Sequence, residues 1–150
     1  MTDPCDLSAV EARRAISARQ MSPMELVTSC LERIEDLNPT LNAVVTVARE
    51  SALVEAQRAE KDLLQGLDEG ILHGLPVAIK DLQETKGIAT TYGTAFYKNN
   101  VPKEDAGIVA RVRAAGGIII GKTNIPEMSI GANTANRLFG ATGNLSLIHI

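Results

Sequence analysis

A lysine that ends an apolar run is the first residue whose chemistry the sequence singles out. Lys80 follows Leu75 to Ile79 within GLPVAIKD, the segment from Gly74 to Asp81. The run predicts a strand over Pro76 to Lys80 that is buried on both faces, as in a parallel sheet. The carboxyl end of such a strand is the usual place for a site in an open α/β sheet.

The amine of a lysine at such a position can act as a base once it loses its charge. Burial disfavours the ammonium and lowers the pKa of a lysine by up to about 3–5 units. A neutral amine near neutral pH accepts a proton, which a serine nucleophile requires where no histidine is available. Lys80 is therefore a candidate general base. The alternative is a strand-end lysine whose amine simply extends to water.

A second motif, from Gly116 to Thr123, matches the phosphate-loop pattern GxxxxGK(S/T). A phosphate loop follows a strand, and its interior curls around the anion. Here the interior includes Ile118, Ile119 and Ile120, and successive β-branched residues favour an extended strand. The preceding segment is predicted to be a helix, so the order of elements is also inverted. We therefore expect a strand from Ile118 to Gly121 and no nucleotide site.

The segment T-N-I-P-E-M, from Thr123 to Met128, predicts a turn into a short helix. Pro126 suits the first helical position, and Asn124 can cap the helix. Met128 to Ala132 are then expected to lie just past the carboxyl end of the second strand.

Several segments occur in the order that is typical of the amidase signature family. They are HGLPVAIKDL, TTYG, VP and DAGIVARVRAAGGIIIGKTNIPE. Together they cover about half of the chain, which resembles the front part of these enzymes. The family cleaves carbon–nitrogen amide bonds with a serine–cis-serine–lysine triad.

The resemblance implies roles for five residues. Lys80 is the general base that acts through the cis-serine, and both serines are expected beyond the last residue of this chain. Met128 and Ser129 are candidate substrate-binding residues because this neighbourhood lines the acyl-binding cavity in the family; the alternative for Met128 is packing in the core. Ser129 lacks the Gly/Ser-rich setting of the nucleophile. Asp81 is most simply a loop-capping carboxylate, and Lys122 has a positioning or structural role.

The function that the resemblance implies is hydrolysis of a small-molecule amide, with no metal or organic cofactor. One alternative is the amidase-like subunit of a tRNA-dependent amidotransferase, which works with partner subunits. That amidase-like subunit often has an acidic residue in place of Pro126, so the T-N-I-P-E form is more similar to stand-alone amidases. Another alternative is a family member that lacks the serines and only binds. Neither the amide nor the oligomeric state follows from the sequence.

Composition excludes several other classes of function. The 150 residues are 45% hydrophobic and 22% charged, which is ordinary for a soluble globular protein. A net charge of −3 and only 3% aromatic residues predict no nucleic-acid or membrane partner. Cys5 and Cys30 have no metal-ligand spacing and fit a reducing compartment, and we see no signal peptide, so a cytoplasmic location is expected. His73 is interpreted as structural.

The predicted fold class is α/β, with N-terminal helices leading into a mixed or parallel sheet flanked by helices. A capping signal at Ser22 and Glu25 begins one of these helices, and Asn38-Pro39 is expected to end it. The other expected elements are helices over Leu7 to Ala18, Arg49 to Gln65 and Asp105 to Ala115, and a strand within Leu41 to Val47. Strand, helix and strand from Pro76 to Gly121 predict a right-handed βαβ unit.

The last six residues, Leu145 to Ile150, read LSLIHI. This is the translation of the end sequence of a common transposase-based sequencing adapter, and we interpret it as a non-native tail. The alternative is a genuine apolar strand. On the first interpretation, residues 1–144 are the N-terminal part of a single amidase domain, and His149 has no functional meaning.

Overall fold

The structure is a computed structural model and describes residues 3–67 and 70–143. The predicted tail over Leu145 to Ile150 lies outside the described residues. The helices are α1 (Ala9–Ser17), α2 (Pro23–Leu41), α3 (Arg49–Leu64) and α4 (Gly107–Ala114). The strands are β1 (Val44–Val47), β2 (Pro76–Lys80), β3 (Ile118–Thr123), β4 (Ala135–Asn136) and β5 (Gly140–Ala141). Short 3-10 helices cover Pro4–Asp6, Ala95–Tyr97 and Glu127–Ser129.

Both N-terminal helices begin with a capping box. The side chain of Ser22 accepts a hydrogen bond from the Glu25 N–H at 3.0 Å, and the Glu25 carboxylate accepts one from the Ser22 N–H at 2.7 Å. Ser8 and Glu11 make the same reciprocal pair at the start of α1. These bonds satisfy N–H groups that have no partner inside a helix. The predicted start of α2 is confirmed.

The predicted end of α2 at Asn38-Pro39 is wrong, because the helix continues to Leu41 and ends at Asn42 in a left-handed conformation. Pro39 cannot donate a backbone hydrogen bond, but it lies in the last turn, where one missing bond costs little. The Asn42 N–H still bonds the Asn38 carbonyl at 2.7 Å. The Asn38 side chain accepts from the Ala43 and Val44 N–H groups, so the exit of the helix is stabilised locally.

The main sheet has three strands in the order β1-β3-β2. Strand β3 pairs antiparallel with β1 and parallel with β2, so the predicted mixed sheet is confirmed. Gly121 permits the close approach of β1, because a Cβ at this position would lie 2.4 Å from the Thr46 carbonyl oxygen. The sheet therefore depends on a glycine at the centre of its middle strand.

Burial differs between the two predicted parallel strands. Every residue of β3 from Ile118 to Lys122 is buried, as predicted for a strand covered on both faces. Strand β2 is at the edge of the sheet, and in it Ile79 is buried whereas Ala78 and Lys80 are exposed. The expectation that β2 is buried on both faces is therefore wrong for this chain, because β3 is its single strand partner within the described residues.

The core forms on both faces of β3. One cluster joins α2, α3 and the Ile118 and Ile120 face of β3; its buried members are Val27, Leu31, Ala52, Ala56, Ala59, Ile118 and Ile120. The other face of β3 packs Ile119 against Ile79, Ile88 and Val109. The alanines of α3 allow this charged helix to lie close to the sheet.

The helix between β2 and β3 begins later than predicted. Asp105 does not cap it: the first turn has Ala106 as its cap residue and no side-chain cap. Asp105 instead accepts a hydrogen bond from the Lys86 N–H at 2.7 Å and pairs with Arg113 at 3.1 Å. Ile108 is exposed, and Val109 is the buried residue of this helix. The helix still connects two parallel strands, as the sequence predicted.

Candidate active site

Lys80 lies at the carboxyl end of β2, where it pairs with Thr123 at the end of β3. Its Nζ donates a hydrogen bond to the Ser129 hydroxyl at 2.7 Å. Lys80 is exposed, in contrast to the buried strand end that the sequence predicted, because β2 is an edge strand within the described residues. The structure thus brings together two of the three residues that the resemblance singled out for catalysis and substrate binding.

Ser129 reaches Lys80 from a turn that is hydrogen-bonded back to the same strand end. The Met128 N–H donates to the Tyr92 carbonyl at 2.7 Å, and the Tyr92 N–H donates to the Asp81 carbonyl at 3.1 Å. Asp81 follows Lys80 and Ser129 follows Met128 in the sequence. These contacts close a ring that begins and ends at Lys80, and we call it the Lys80 ring.

Three residues of the Lys80 ring have a backbone conformation that L-residues rarely adopt. The φ angles are 52° at Tyr92, 51° at Met128 and 61° at Ser129. A residue other than glycine in this region costs free energy, and such conformations persist where the surrounding structure holds them. Two in succession at Met128 and Ser129 turn the chain sharply, so that the Ser129 hydroxyl faces Lys80. Strain of this kind is typical of functional sites.

Directly behind Lys80, Asp81 and Lys122 form a buried ion pair. The distance from Lys122 Nζ to Asp81 Oδ1 is 3.7 Å, and both side chains are 0% exposed. The Asp81 carboxylate also accepts from the Thr91 N–H at 3.1 Å and from the Thr91 hydroxyl at 2.5 Å. The predicted capping of the loop by Asp81 is therefore present, together with an ion pair that the sequence analysis did not foresee.

Lys122 donates its remaining hydrogen bonds to the same loop. Its Nζ bonds the Gln83 carbonyl at 2.7 Å and the Thr90 hydroxyl at 2.6 Å. Burial lowers the pKa of Lys122 to about 8, and the attraction of Asp81 opposes this shift only in part. The ammonium of a phosphate loop must reach an anion, whereas this one is enclosed and β3 is an extended strand. The interpretation of Lys122 as a structural or positioning residue is therefore favoured.

The backbone of Tyr92 is part of the Lys80 ring, and its side chain stabilises the loop that follows β2. Its phenol donates to Glu84 Oε1 at 2.7 Å and its ring packs edge-on against Tyr97. Burial and the hydrogen bond to Glu84 raise the pKa of Tyr92 to about 12. The phenol therefore stays protonated across the physiological range and keeps this contact.

Asn124 does not cap the short helix over Glu127–Ser129, whose cap residue is Pro126 without a side-chain bond. The Asn124 carboxamide instead accepts from the Ile125 N–H at 3.0 Å and from the Asn136 side chain at 2.7 Å. It also donates to the Thr142 hydroxyl at 3.0 Å. The predicted cap is wrong because Asn124 joins β3 to the small hairpin of β4 and β5.

Met128 does not pack in the core, since the residue is 47% exposed, and it directly precedes Ser129, the hydrogen-bond partner of Lys80. Its surroundings are compatible with the predicted contact to a substrate. The contact between Lys80 and Ser129 did not follow from the sequence. The parallel pairing of the strands that end in Lys80 and Thr123 places Ser129 near the same edge of the sheet but does not determine the contact.

His73, which was interpreted as structural, and Cys30 both lie in largely buried surroundings. His73 is 2% exposed, and its Nε2 lies 3.0 Å from the Ala59 carbonyl oxygen. Cys30 is half-buried against two apolar clusters, and burial raises the pKa of its thiol to about 11.

Within residues 3–67 and 70–143, no three His, Cys, Asp or Glu side chains are grouped so that they could hold a metal ion. No helix in this part of the chain is long and apolar enough to cross a membrane.

The site thus combines a mixed sheet, a lysine at a strand end and a serine turn with left-handed backbone beside it. The sequence profile of the Amidase family matches residues 25–145. The chain therefore belongs to the amidase family.

Relatives with different activities share this part of their sequence with the chain. A glutamyl-tRNA(Gln) amidotransferase subunit of Carboxydothermus hydrogenoformans is 39% identical over 138 residues, which are 92% of this chain and 28% of that protein. An acylamidase of Rhodococcus erythropolis is 36% identical over 138 residues, which are 92% of this chain and 29% of that protein.

A solved structure has the same fold over this part of its chain. The native peptide amidase of Stenotrophomonas maltophilia superposes with a TM-score of 0.86 at 28% identity, covering 93% of this chain and 30% of that one. The chain thus spans less than a third of the length of the relatives that it matches.

Proposed function

We propose that this chain is the N-terminal part of an amide hydrolase in which Lys80 is the general base. The observation that carries the proposal is the position of the Lys80 amine, exposed at a strand end and hydrogen-bonded to a hydroxyl 2.7 Å away. An amine so placed can exchange protons with a second hydroxyl that approaches from the open side. The amidase relatives support this assignment, since acylamidase and peptide amidase activities are named among them.

In the proposed reaction, a serine from a longer chain attacks the carbonyl carbon of a linear amide. A cis-serine relays the proton of that serine to Lys80, and the proton then passes to the leaving nitrogen, so that ammonia or an amine departs and the acyl group stays on the serine. Water then hydrolyses this acyl-enzyme to the carboxylic acid and the free serine. Met128 and Ser129 contact the acyl part of the substrate. The reaction requires no metal or organic cofactor. Residues 1–144 are then the N-terminal part of one amidase domain, in a protein that acts in the cytoplasm.

The second candidate is the amidase-like subunit of a tRNA-dependent amidotransferase, because several relatives are named as amidotransferase subunits. Such a protein works with partner subunits, whereas a stand-alone amidase does not need them. Pro126 favours the stand-alone enzyme by the resemblance given above. A gene for a partner subunit next to this one would favour the amidotransferase instead.

The test is made in the longer protein that contains this chain. We expect the change Lys80→Ala to lower kcat on a simple aryl amide by about 10²–10⁴-fold, the usual contribution of a general base. Lys61→Ala is the matched control, because Lys61 is an exposed lysine near the end of α3. A Lys80→Ala enzyme with the kcat of the control would refute the proposal.

A further inference from the structure

We propose that Ser129 is a positioning residue for Lys80: its hydroxyl holds the lysine amine in one orientation at the end of β2. This inference rests on the proposed function, in which Lys80 is the base. It assigns to Ser129 a role on the lysine, in addition to any contact with substrate. The contact is direct, since Lys80 Nζ donates to Ser129 Oγ at 2.7 Å.

A lysine that donates one N–H to this hydroxyl can still act as a base. A neutral lysine amine has two N–H groups and one lone pair, and only the lone pair accepts a proton. When one N–H donates to Ser129, the lone pair is free and its direction is restricted. A lysine has four rotatable bonds and loses much side-chain entropy when it is ordered. The hydrogen bond to Ser129 orders the lysine before a substrate binds, so less entropy is lost in the reaction itself. Positioning of this kind increases the rate.

The backbone around Ser129 is built to place this hydroxyl. The Lys80 ring ties the Met128 turn to the strand end through the Tyr92 and Asp81 carbonyls, at 2.7 Å and 3.1 Å. The φ angle of 61° at Ser129 would suit a glycine better, so the chain retains a side chain here at a cost in strain. Asp81, in turn, is held by the buried Lys122. The Lys80 amine and its hydroxyl partner are thus fixed by one connected set of contacts.

A nucleophilic role for Ser129 is the competing interpretation. A nucleophilic serine must pass its proton to a base and hold an acyl group. An acyl transfer also requires N–H groups aimed at the developing oxyanion. The Met128 N–H already donates to the Tyr92 carbonyl and the Ser129 N–H to the Pro126 carbonyl, so neither is available to an oxyanion. The geometry therefore favours positioning.

The first experiment measures the contact in this chain without reference to activity. The Nζ resonance of Lys80 is observed by NMR in lysine labelled with ¹⁵N, and is assigned with Lys80→Arg. We expect hydrogen exchange at Nζ to be about fivefold faster in Ser129→Ala, the ratio that corresponds to the loss of one typical hydrogen bond. Ser51→Ala, which removes another exposed hydroxyl, should leave the exchange rate unchanged.

Two further variants separate the hydroxyl from the backbone. Ser129→Gly relieves the strain at φ 61° and also removes the hydroxyl, so exchange should be as fast as in Ser129→Ala. Ser129→Asn tolerates the left-handed conformation and restores an oxygen acceptor, so slow exchange should partly return. An exchange rate in Ser129→Ala and Ser129→Gly equal to that of the unchanged chain would overturn the proposal.

The second experiment uses the longer enzyme and distinguishes the roles of Ser129. Positioning predicts a lower kcat with little change in KM in Ser129→Ala, and no further loss when Ser129→Ala is added to Lys80→Ala. A rise in KM alone, or labelling of Ser129 by a fluorophosphonate, would overturn positioning in favour of substrate contact or nucleophilic attack. If Lys80→Ala itself keeps full activity, the proposed function fails, while the exchange experiment still decides the contact.

Discussion

Lys122 and Asp81 form an ion pair, 3.7 Å from Nζ to Oδ1, in which neither side chain reaches solvent. Asp81 directly follows Lys80 at the end of β2, and Lys122 lies near the end of the neighbouring β3. Burying two charges costs several kcal/mol for each, and attraction returns this cost only where hydrogen bonds complete the site. Here both partners have such bonds, to Thr91 on one side and to Thr90 and Gln83 on the other.

Removing one partner of this pair should destabilise the fold strongly. We expect Lys122→Met to lower the free energy of unfolding by about 3–5 kcal/mol at pH 7, because the Gln83 carbonyl, the Thr90 hydroxyl and the Asp81 carboxylate all lose the amine that they contact. Adding Asp81→Asn should recover a large part of the loss, since no charge is then buried. Urea denaturation measures both effects. Lys98→Met, at an exposed lysine, is the control; a similar small loss in Lys98→Met and Lys122→Met would refute the argument.

The stability of the chain should depend on pH in a way that Lys122 determines. Its pKa is lowered to about 8 by burial, from an ordinary value of 10.5. Between these values the unfolded chain binds more protons, so the free energy of unfolding rises with pH, by at most about 1.4 kcal/mol per unit.

Burial raises the pKa of Cys30 to about 11 and, with a hydrogen bond to Glu84, that of Tyr92 to about 12.

These two raised pKa values have the opposite sign, because the folded chain holds the proton longer. Cys30 therefore lowers the free energy of unfolding as the pH rises above 9.0, its ordinary pKa. Tyr92 does the same above its ordinary pKa of 10.0. We expect stability to increase from about pH 8 to 9 and to decrease beyond about pH 10. Urea denaturation across this range measures the profile. The increase should be absent in Lys122→Met; an increase that persists in this variant would assign it to another group.

The parts of the fold that depend on neighbouring residues were predictable from the sequence. Strand β2 begins at Pro76 and ends at Lys80 as expected, and the Ser22 capping box begins α2. Both signals are local. The continuation of α2 past Pro39 was missed because side-chain bonds from Asn38 to residues beyond the helix compensate for the proline.

The site was predictable in its residues but not in its contacts. Lys80, Met128 and Ser129 were singled out by resemblance, yet the contact of Lys80 with Ser129 depends on two left-handed residues in succession, which no propensity favours. Asp81 and Lys122 are far apart in sequence, and their pairing follows only from the parallel register that places Lys122 opposite Ile79. Long-range register is what the sequence analysis lacked.

The 150-residue chain alone should have no amidase activity. In the proposed reaction the nucleophile is a serine of a longer chain, and a base without a nucleophile forms no acyl-enzyme. Hydrolysis of an aryl amide by the purified chain is the measurement, with Lys80→Ala as the matched sample. Turnover above background that disappears in Lys80→Ala would show that this segment is sufficient for catalysis.

A methyl group at Gly121 should displace β1 from the sheet. The added Cβ would lie 2.4 Å from the Thr46 carbonyl oxygen, which is backbone and cannot move aside without breaking the pairing of β1 with β3. We expect Gly121→Ala to lower the free energy of unfolding by about 1–3 kcal/mol, the usual cost of overpacking. Gly107→Ala is the matched control: it adds the same methyl group in α4, where nothing lies within 4 Å, and should be neutral or stabilising by up to about 1 kcal/mol. Denaturation of both variants, with amide exchange of Thr46 and Val47, tests the prediction. Faster exchange in β1 is expected only in Gly121→Ala, and equal stability of the two variants would mean that β1 does not depend on this close approach.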